Sequence, residues 1–343
     1  MKRFQILAIA AFISCSQCAI AQTFYVDNSH GDDRNAGTAK AALASLCEAV
    51  KRANLSRQNQ PIVIKVAPGL YTLKEPITIS GHSYTAKYSV EALVMPDDSG
   101  WTPAKMPVIQ CIADGNRAGK LEHASTAFQI QRNHVSIRGL KFIGDPHPAS
   151  VYYYAIERKD STLTGLEITQ CYFLGDRYSM PMQGGVFAQG VKVSVDHCIF
   201  YGVKNAVLVF VGLKYFSLTH SIIYGSYEGA VWYGYGLSGD VPFTFSDNVI
   251  TGCNYFWVGY RGKHPNYKFT NSQISGNAHY MGFNEQEILP DTINKPMEER
   301  VRKSGKVSLV EADLKGLPLN YLNLAASSAG SDIEAGLFKT KRH

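Results

Sequence analysis

The sequence has little charge, very little tryptophan and no long apolar run beyond its first 21 residues. Only 18% of its 343 residues are charged, and only 3 are tryptophan. This composition excludes a coiled coil, and the lack of long apolar runs excludes a membrane-spanning helix after residue 21. In contrast, 45% of the residues are hydrophobic and 30 are glycine. That balance favours an all-β protein of many short strands and turns.

Residues 1–21 have the pattern of a secretory signal peptide. Lys2 and Arg3 precede an apolar run over residues 4–13, and Ala19-Ile20-Ala21 is a small-x-small cleavage site. We therefore predict a secreted or periplasmic protein in which residues 22–343 form a single domain. Lipoprotein processing at Cys15 or Cys18 is an alternative.

The mature chain is only mildly basic. Removal of residues 1–21 takes away two basic residues and no acidic one, so the formal net charge falls from +6 to +4. This balance does not indicate nucleic-acid binding, whereas local basic clusters would suit an anionic polysaccharide. We expect a monomer with no integral membrane segment after cleavage.

Five cysteines remain in the mature chain: Cys47, Cys111, Cys171, Cys198 and Cys253. An odd number leaves at least one thiol unpaired, and the spacing matches no zinc site. We predict that disulfides do not hold the fold. Cys171 and Cys198 occupy equivalent positions of a repeat, where we expect them to stack as small buried side chains.

A ten-residue motif recurs along the chain and predicts the architecture. It alternates apolar and polar residues, continues with two small or polar and two mainly apolar residues, and ends in glycine; full copies are residues 166–175, 193–202, 216–225 and 243–252. Weaker copies are residues 137–144 and 269–276. Each copy predicts two short strands around a turn such as His197-Cys198. A third strand fits every interval, as in residues 127–130, 155–157, 186–189, 206–209, 230–233 and 256–258.

Three short strands per turn of chain cannot bury their inner faces alone. Turns stacked about 4.8 Å apart bury one continuous core, so the repeat predicts a parallel β-helix, a three-sided solenoid. Residues 39–54 have a helical pattern and should cap the open first turn. Residues 284–306 break the repeat as a polar excursion.

Several segments resemble secreted proteins of the pectate-lyase-like superfamily. They are Phe24-Tyr-Val-Asp27, Gly31-Asp-Asp33, Gly37-Thr38 and residues 62–72 near the start, and residues 321–336 near the end. The resemblance implies a right-handed parallel β-helix. It also implies a carbohydrate-active protein, because lyases, glycosidases, esterases, epimerases and binding proteins share this scaffold.

The sequence motifs narrow this list of activities only in part. The Arg-x-Pro-x-x-Arg motif of pectate lyases is absent, as are the polygalacturonase and pectin methylesterase motifs. Residues 193–198 are similar to a Trp-Ile-Asp-His segment of pectate lyases, but the same frame recurs in the other repeats, so we interpret His197-Cys198 as a turn ladder. We predict a polysaccharide lyase that acts by β-elimination on an acidic, uronate-containing polysaccharide. A glycoside hydrolase that pairs Glu157 with Asp176, and a glycan-binding protein without catalysis, are the alternatives.

A lyase needs a group that neutralises the uronate carboxylate, a base for the sugar C5 proton and a proton donor for the leaving oxygen. Near the third strands, the candidates for these roles are Lys159, Arg177, Arg261 and His264, with Glu157 as a Ca²⁺ ligand or an ion-pair partner. Alternation along the third strands predicts an outward groove that binds sugar rings and hydroxyls. Its predicted residues are Gln129, Gln189, Trp232, Trp257, Tyr235 and Tyr260. No acidic cluster demands calcium, so Ca²⁺ stays open and no cofactor is certain.

Overall fold

Three long parallel sheets run side by side along the chain. They are seen in a computed structural model, which describes residues 21–56, 59–112, 123–147, 150–237, 241–260 and 266–340. Neighbouring strands of one sheet are one turn of chain apart and pair in parallel. The protein is a parallel β-solenoid, so the predicted parallel β-helix is confirmed.

Most turns contribute one strand to each sheet. The first sheet contains Gln22–Val26, Ile62–Val66, Tyr88–Ala92, Val135–Arg138, Leu166–Thr169, Lys192–Asp196, Tyr215–Thr219, Phe243–Ser246, the start of Lys268–Ser275, and Met297–Arg302. The second sheet contains Leu70–Leu73, Val108–Cys111, Lys141–Ile143, Tyr172–Leu174, Ile199–Tyr201, Ile222–Tyr224, Val249–Thr251 and the end of Lys268–Ser275. The third sheet contains Ile77–Gly81, His123–Arg132, Ser150–Arg158, Gly184–Ala188, Asn205–Val209, Gly229–Tyr233, Tyr255–Tyr260, His279–Asn284 and the antiparallel Ile288–Pro290.

Similar side chains stack on one another inside the solenoid. The rings of Phe142, Phe173 and Phe200 are parallel, with centroids 5.2 and 4.5 Å apart. The first sheet adds a buried aliphatic column of Ile137, Ile168, Val195 and Leu218. Because the first half of the motif alternates with a period of two, its apolar positions on the first sheet face inward, and the stacked turns share one core.

The turns between the first two sheets form a ladder of residues with positive φ. These residues are Gln170, His197, His220, Asp247 and Asn271, with φ between 40 and 58°. The buried residues that follow them bond from turn to turn: Cys198 N donates to Ser221 Oγ at 3.1 Å, and Ser221 N donates to Asn248 Oδ1 at 3.0 Å. His197-Cys198 is thus one rung of a turn ladder, as the repeat predicts. The motif's last residue also has positive φ at Gly202 and Gly225, which explains why glycine recurs there.

All five described cysteines are free thiols. Cys171 and Cys198 occupy successive rungs of the turn ladder and are fully buried. Burial raises the pKa of the Cys198 thiol. The prediction that disulfides do not hold the fold is therefore confirmed.

One α-helix, Leu46–Leu55, covers the first turn of the solenoid. The Ser45 hydroxyl caps it by accepting a hydrogen bond from Glu48 N at 3.1 Å, and its apolar side joins the solenoid core. The predicted capping helix is confirmed, but its start at residue 39 is wrong. The preceding residues form bridges such as Thr38 to Ala41, and the cap at Ser45 sets the first helical turn. No helix in the described residues is long and apolar enough to cross a membrane.

Residues 307–338, the C-terminal cover, fold back over the outer side of the second sheet. Their buried apolar residues pack against an outward column of that sheet, formed by Tyr172, Ile199, Ile222 and Val249. Tyr172 Oη donates a hydrogen bond to Tyr321 O at 2.6 Å, and the rings of Trp101 and Phe338 meet edge to face at 5.4 Å. The outer side of the second sheet is therefore occupied by the chain itself.

The polar excursion at residues 284–306 contains two ordered pieces of the solenoid's end. Ile288–Pro290 forms a hairpin with His279–Asn284, and Met297–Arg302 adds a last parallel strand to the first sheet. An ion pair of 2.9 Å joins Arg302 to Asp332 of the C-terminal cover. The hairpin becomes important below because it borders a cleft.

Candidate functional site

The outer side of the third sheet differs from the other two faces. The second sheet is covered, and the first sheet shows an outer column of polar residues formed by Ser136, Glu167, Ser194 and Ser217. Against the third sheet lie two clefts, of about 500 and 520 Å³. Clefts of this size are typical of small-molecule and sugar sites. The C-terminal cover also holds a cleft of about 520 Å³, but the two on the third sheet contain predicted site residues, so this face carries the candidate functional site.

One outward column runs along the middle of the third sheet. Strand pairing orders it as Thr78, Gln129, Glu157, Phe187, Leu208, Trp232 and Val258. The column is polar at one end and apolar at the other. Gln129, Glu157 and Trp232 lie on the outer side, where alternation predicts them, and their role in binding stays a prediction.

The polar cleft lies at the polar end of this column. It has a volume of about 500 Å³ and is lined by residues 80–82, 129–131, 157, 159 and 160. Three predicted site residues, Gln129, Glu157 and Lys159, come together here. Gln189 follows Lys159 one turn further along, because Arg158 pairs with Ala188.

Glu157 and Lys159 form an ion pair in the polar cleft. Lys159 Nζ lies 2.9 Å from Glu157 Oε1, and Thr126 Oγ1 donates to Glu157 Oε2 at 3.3 Å. Glu157 is 4% exposed, whereas the Lys159 side chain is 63% exposed. The buried carboxylate therefore holds an ammonium group that still reaches solvent. Of the two roles predicted for Glu157, the ion-pair partner fits this geometry.

His82 is a residue of the polar cleft that the sequence analysis missed. Its Nε2 lies 3.3 Å from Asp160 Oδ2 and 3.0 Å from Thr162 Oγ1. Hydrogen bonds from Thr162 are the main cause of the lowered pKa of Asp160, and the charge of His82 contributes less. His82 is far from Lys159 in sequence, and the stacking of successive turns brings both into one cleft. The third strands predicted from the sequence begin at residue 127, so none of them pointed to His82.

Aromatic residues occupy the other end of the third sheet. Trp232 is 8% exposed, and its Nε1 donates a hydrogen bond to Asn205 Oδ1 at 2.6 Å. The rings of Tyr235 and Tyr260 lie beside it with centroids 5.0 Å apart, and each also contacts Phe210. Burial and the neighbouring Tyr235 raise the pKa of Tyr260. Tyr235 is 55% exposed and offers its ring to a ligand.

Trp257 lies inside the solenoid and not in the groove. It is 0% exposed, and its ring packs against Tyr233 and Phe243 with centroids 5.4 and 5.5 Å away. Strand pairing places Val258, not Trp257, beside Trp232 in the outward column. The predicted outward orientation of Trp257 is wrong by one residue, and a slip of one residue reverses the side of a strand.

A second cleft, the Arg177 cleft, lies beside Trp232. It has a volume of about 520 Å³ and is lined by residues 177, 204, 227, 228, 232, 254, 255, 284 and 286–288. Glu157 and Trp232 are three turns apart in the outward column, which is about 14 Å along the sheet. Lys159 and Arg177 therefore line different clefts, and the catalytic role predicted for each stays a prediction.

The remaining candidates do not join the polar cleft. Arg261 and His264 lie outside the described residues, so their roles stay predictions. Asp176, which the hydrolase alternative pairs with Glu157, accepts hydrogen bonds from Tyr178 N at 3.0 Å and Ser179 N at 2.8 Å. Asp176 thus stabilises its own turn and does not line the polar cleft.

The polar cleft does not fit Ca²⁺. This ion takes about six to eight oxygen ligands. In the cleft, Glu157 faces the Lys159 ammonium and Asp160 faces His82. The chemistry proposed below therefore involves no metal.

Within the described residues, Asp196, His197 and His220 form one group with metal-ligand chemistry. The His220 Nδ1 atom lies 2.9 Å from Asp196 Oδ1, and His197 Nδ1 lies 3.1 Å from Gly336 O. The two imidazole rings are stacked at 4.6 Å with an angle of 4° between them. Their nitrogen lone pairs are parallel and do not converge on one ion. This group belongs to the turn ladder.

The fold and the open third sheet define a parallel β-helix protein with two clefts on one face. No family model and no curated protein matches the sequence. A crystal structure of Escherichia coli YbhC aligns with a TM-score of 0.52 and 14% identity over 88% of each chain. A rhamnogalacturonan lyase aligns at 0.44 and 12% over 92% of this chain and all of the other. A pectin methylesterase from Aspergillus niger aligns at 0.43 and 12%, over 83% and 86%. Such likenesses concern the fold alone.

Proposed function

We propose that this chain is a secreted carbohydrate-active protein that cleaves an acidic polysaccharide by β-elimination on the outer side of its third sheet. One observation carries the proposal: the polar cleft gathers Gln129, Glu157, Lys159 and His82 on the outer side of the third sheet. Gln129 offers an amide for sugar hydroxyls. Tyr235, at the aromatic end of the same face, offers a ring for sugar stacking.

The residues of the polar cleft suit the two proton transfers of elimination. His82, oriented by Asp160, accepts the C5 proton, since imidazole exchanges protons near neutral pH. The electron pair left at C5 forms the new C4–C5 double bond, and the C4–O bond breaks. The Lys159 ammonium, held by Glu157, donates its proton to the leaving oxygen. The products are one chain with an unsaturated uronate end and one with a new hydroxyl.

A panel of uronate polysaccharides, assayed for ultraviolet absorbance and for new reducing ends, tests this proposal. We expect unsaturated products from at least one member, and a loss of about hundredfold in rate for Lys159→Met and for His82→Gln. Lys192→Met, which changes an exposed lysine of the first sheet, is the matched control and should keep full activity. Reducing ends without ultraviolet absorbance would indicate a hydrolase and would contradict the proposal.

Glycan binding without catalysis is the second candidate. It is favoured by the Glu157–Lys159 ion pair, because the ammonium group that would donate the proton is already bound to a carboxylate. In that case some member of the panel would bind and none would turn over, and Lys159→Met would leave the affinity unchanged.

A further inference from the structure

A single buried amide organises the Arg177 cleft. Asn205 is 0% exposed, and its Oδ1 accepts hydrogen bonds from Trp232 Nε1 at 2.6 Å and Gly229 N at 3.0 Å. Its Nδ2 donates to Glu228 Oε2 at 2.7 Å and to Gln183 O at 3.2 Å. A buried amide with all these bonds made fixes the groups that it contacts. Trp232 and Glu228 therefore have fixed orientations in the cleft.

The charged residues of the Arg177 cleft differ in whether they have an ion-pair partner. Glu228 Oε1 lies 3.2 Å from Lys204 Nζ, so this pair largely neutralises itself. Arg177 stands over the rings of Tyr178 and Tyr227 at 5.7 and 5.5 Å, and within the described ranges it forms no ion pair with a carboxylate. Aromatic faces hold a guanidinium without using its in-plane N–H donors. Arg177 therefore keeps those donors for a ligand.

We infer that the Arg177 cleft is a second sugar-binding site, which takes an acidic sugar by pairing its carboxylate with Arg177. The guanidinium fork matches the two oxygens of a planar carboxylate. Trp232 and Tyr255, which are 8% and 5% exposed, line the same cleft. This inference rests on the proposed function, because its ligand is a stretch of the same polysaccharide that the polar cleft cleaves.

The hairpin of the polar excursion sets the direction of the bound sugar. Glu287 lines the cleft from this hairpin, and Tyr255 Oη anchors the hairpin by donating to Ile288 O at 3.2 Å. The charge of Glu287 repels a carboxylate, so the acid group must lie on the Arg177 side. The excursion, which had no role from the sequence, thereby becomes a wall of the site.

The two clefts are far enough apart to select for chain length. Glu157 and Trp232 are separated by three turns, or about 14 Å along the sheet. A monosaccharide occupies one cleft only, whereas an oligosaccharide that spans three turns occupies both and gains affinity from the second contact.

Calorimetric titration of the full chain tests the inference. Lys159→Met is the parent in every measurement, so that no substrate is consumed. The probes are an oligogalacturonate, the same oligosaccharide with its carboxyl groups reduced, and a sulfated oligosaccharide of equal length. The variants are Arg177→Gln and Arg177→Lys, and Arg302→Gln removes one positive charge from the last strand of the first sheet as the matched control.

We expect Arg177→Gln to weaken oligogalacturonate binding by about tenfold and Arg177→Lys by somewhat less, because lysine keeps the charge but not the fork. The carboxyl-reduced chain should bind the parent more weakly than oligogalacturonate does, and Arg177→Gln should not weaken it further. Arg302→Gln should bind oligogalacturonate as tightly as the parent. Equal losses for Arg177→Gln and Arg302→Gln, tighter binding of the sulfated chain, or no binding of the oligogalacturonate would overturn the inference.

Turnover by chains with Lys159 intact separates this inference from the proposed function. Unsaturated product from a chain whose oligogalacturonate affinity does not depend on Arg177 would overturn the second site and leave the lyase. Arg177-dependent binding without any unsaturated product would overturn the lyase and leave the second site.

Discussion

The stacked pair His197 and His220 should give the protein a stability optimum near about pH 6.5. The hydrogen bond with Asp196 raises the pKa of His220, whereas burial lowers the pKa of His197. A raised histidine pKa stabilises the fold fully below the unfolded value of about 6.5, and this gain is lost as pH rises through the folded value. A lowered histidine pKa reduces the stability of the fold as pH falls below about 6.5, because the unfolded chain then binds the proton more readily than the folded protein does.

Asp196 sets the acid limit of this behaviour. Burial alone would raise its pKa, but hydrogen bonds from His220 and Thr219 outweigh burial and lower it. The stabilisation from Asp196 is therefore present above about pH 3.8 and is lost as pH falls through its folded pKa. Since the side chains of His220 and Asp196 are 32% and 27% exposed, solvent screens the pair. We expect each histidine to change the free energy of unfolding by about 0.5–1 kcal/mol.

Urea unfolding at about pH 5, 6.5 and 8 measures these slopes. His220→Gln should remove the decline in stability above about pH 6.5. His197→Gln should remove the rise in stability between about pH 5 and 6.5. His30→Gln, at an exposed histidine near the start of the chain, should leave both slopes intact. If the unsubstituted protein showed no decline in stability between about pH 6.5 and 8, the assignment of the raised pKa to His220 would be refuted.

Two further substitutions test the packing of the solenoid. Phe173→Ala removes the middle ring of the Phe142–Phe173–Phe200 stack, so the free energy of unfolding in urea should fall by about 3–5 kcal/mol; a loss well under about 1 kcal/mol would mean that the stack is not close-packed. Asn248→Ala leaves Ser221 N without its acceptor and Leu218 O without its donor. It should cost about 2 kcal/mol in the same assay, and an unchanged midpoint would contradict the buried polar ladder.

The sequence predicted the solenoid well because the residues of each repeat favour the same local structure. In residues 193–202, alternation places Val193 and Val195 inward, a residue with positive φ makes the turn, and Gly202 ends the copy. Every copy repeats these local preferences, so stacking them requires no long-range information beyond the period. The same reasoning placed Gln129, Glu157 and Trp232 in one outward column.

Where apolar and polar residues do not alternate, the sequence did not predict correctly which side chains face outward. The strand Tyr255–Tyr260 has apolar residues on both sides, so nothing in its pattern distinguishes Trp257 from Val258. Register comes from pairing with Gly229–Tyr233, which a single strand does not reveal. The C-terminal cover was missed for a related reason, because its contacts are made by irregular chain without a period.

The clefts depend on contacts between turns, which explains why their residues were found incompletely. Asn205 contacts Glu228 and Trp232 from the preceding turn, and His82 approaches Lys159 across two turns of the third sheet. Such neighbours are fixed by how far each loop shifts the chain before the next strand begins. Loop length can be counted in a sequence, but the direction in which a loop aims a side chain depends on packing.

The repeat period drifts along the chain because its loops differ in length. The motif glycines are 31 residues apart from Gly144 to Gly175, and that interval contains Lys159; the next interval of 27 residues contains Arg177. The shorter interval of 24 residues from Gly252 to Gly276 contains Arg261 and His264, so a candidate residue does not require a long interval. Extra residues in a surface loop cost little conformational free energy, while the stacked core demands the same three strands in every turn. Insertions therefore accumulate at the edges of the third sheet, where they build cleft walls without disturbing the core beneath them.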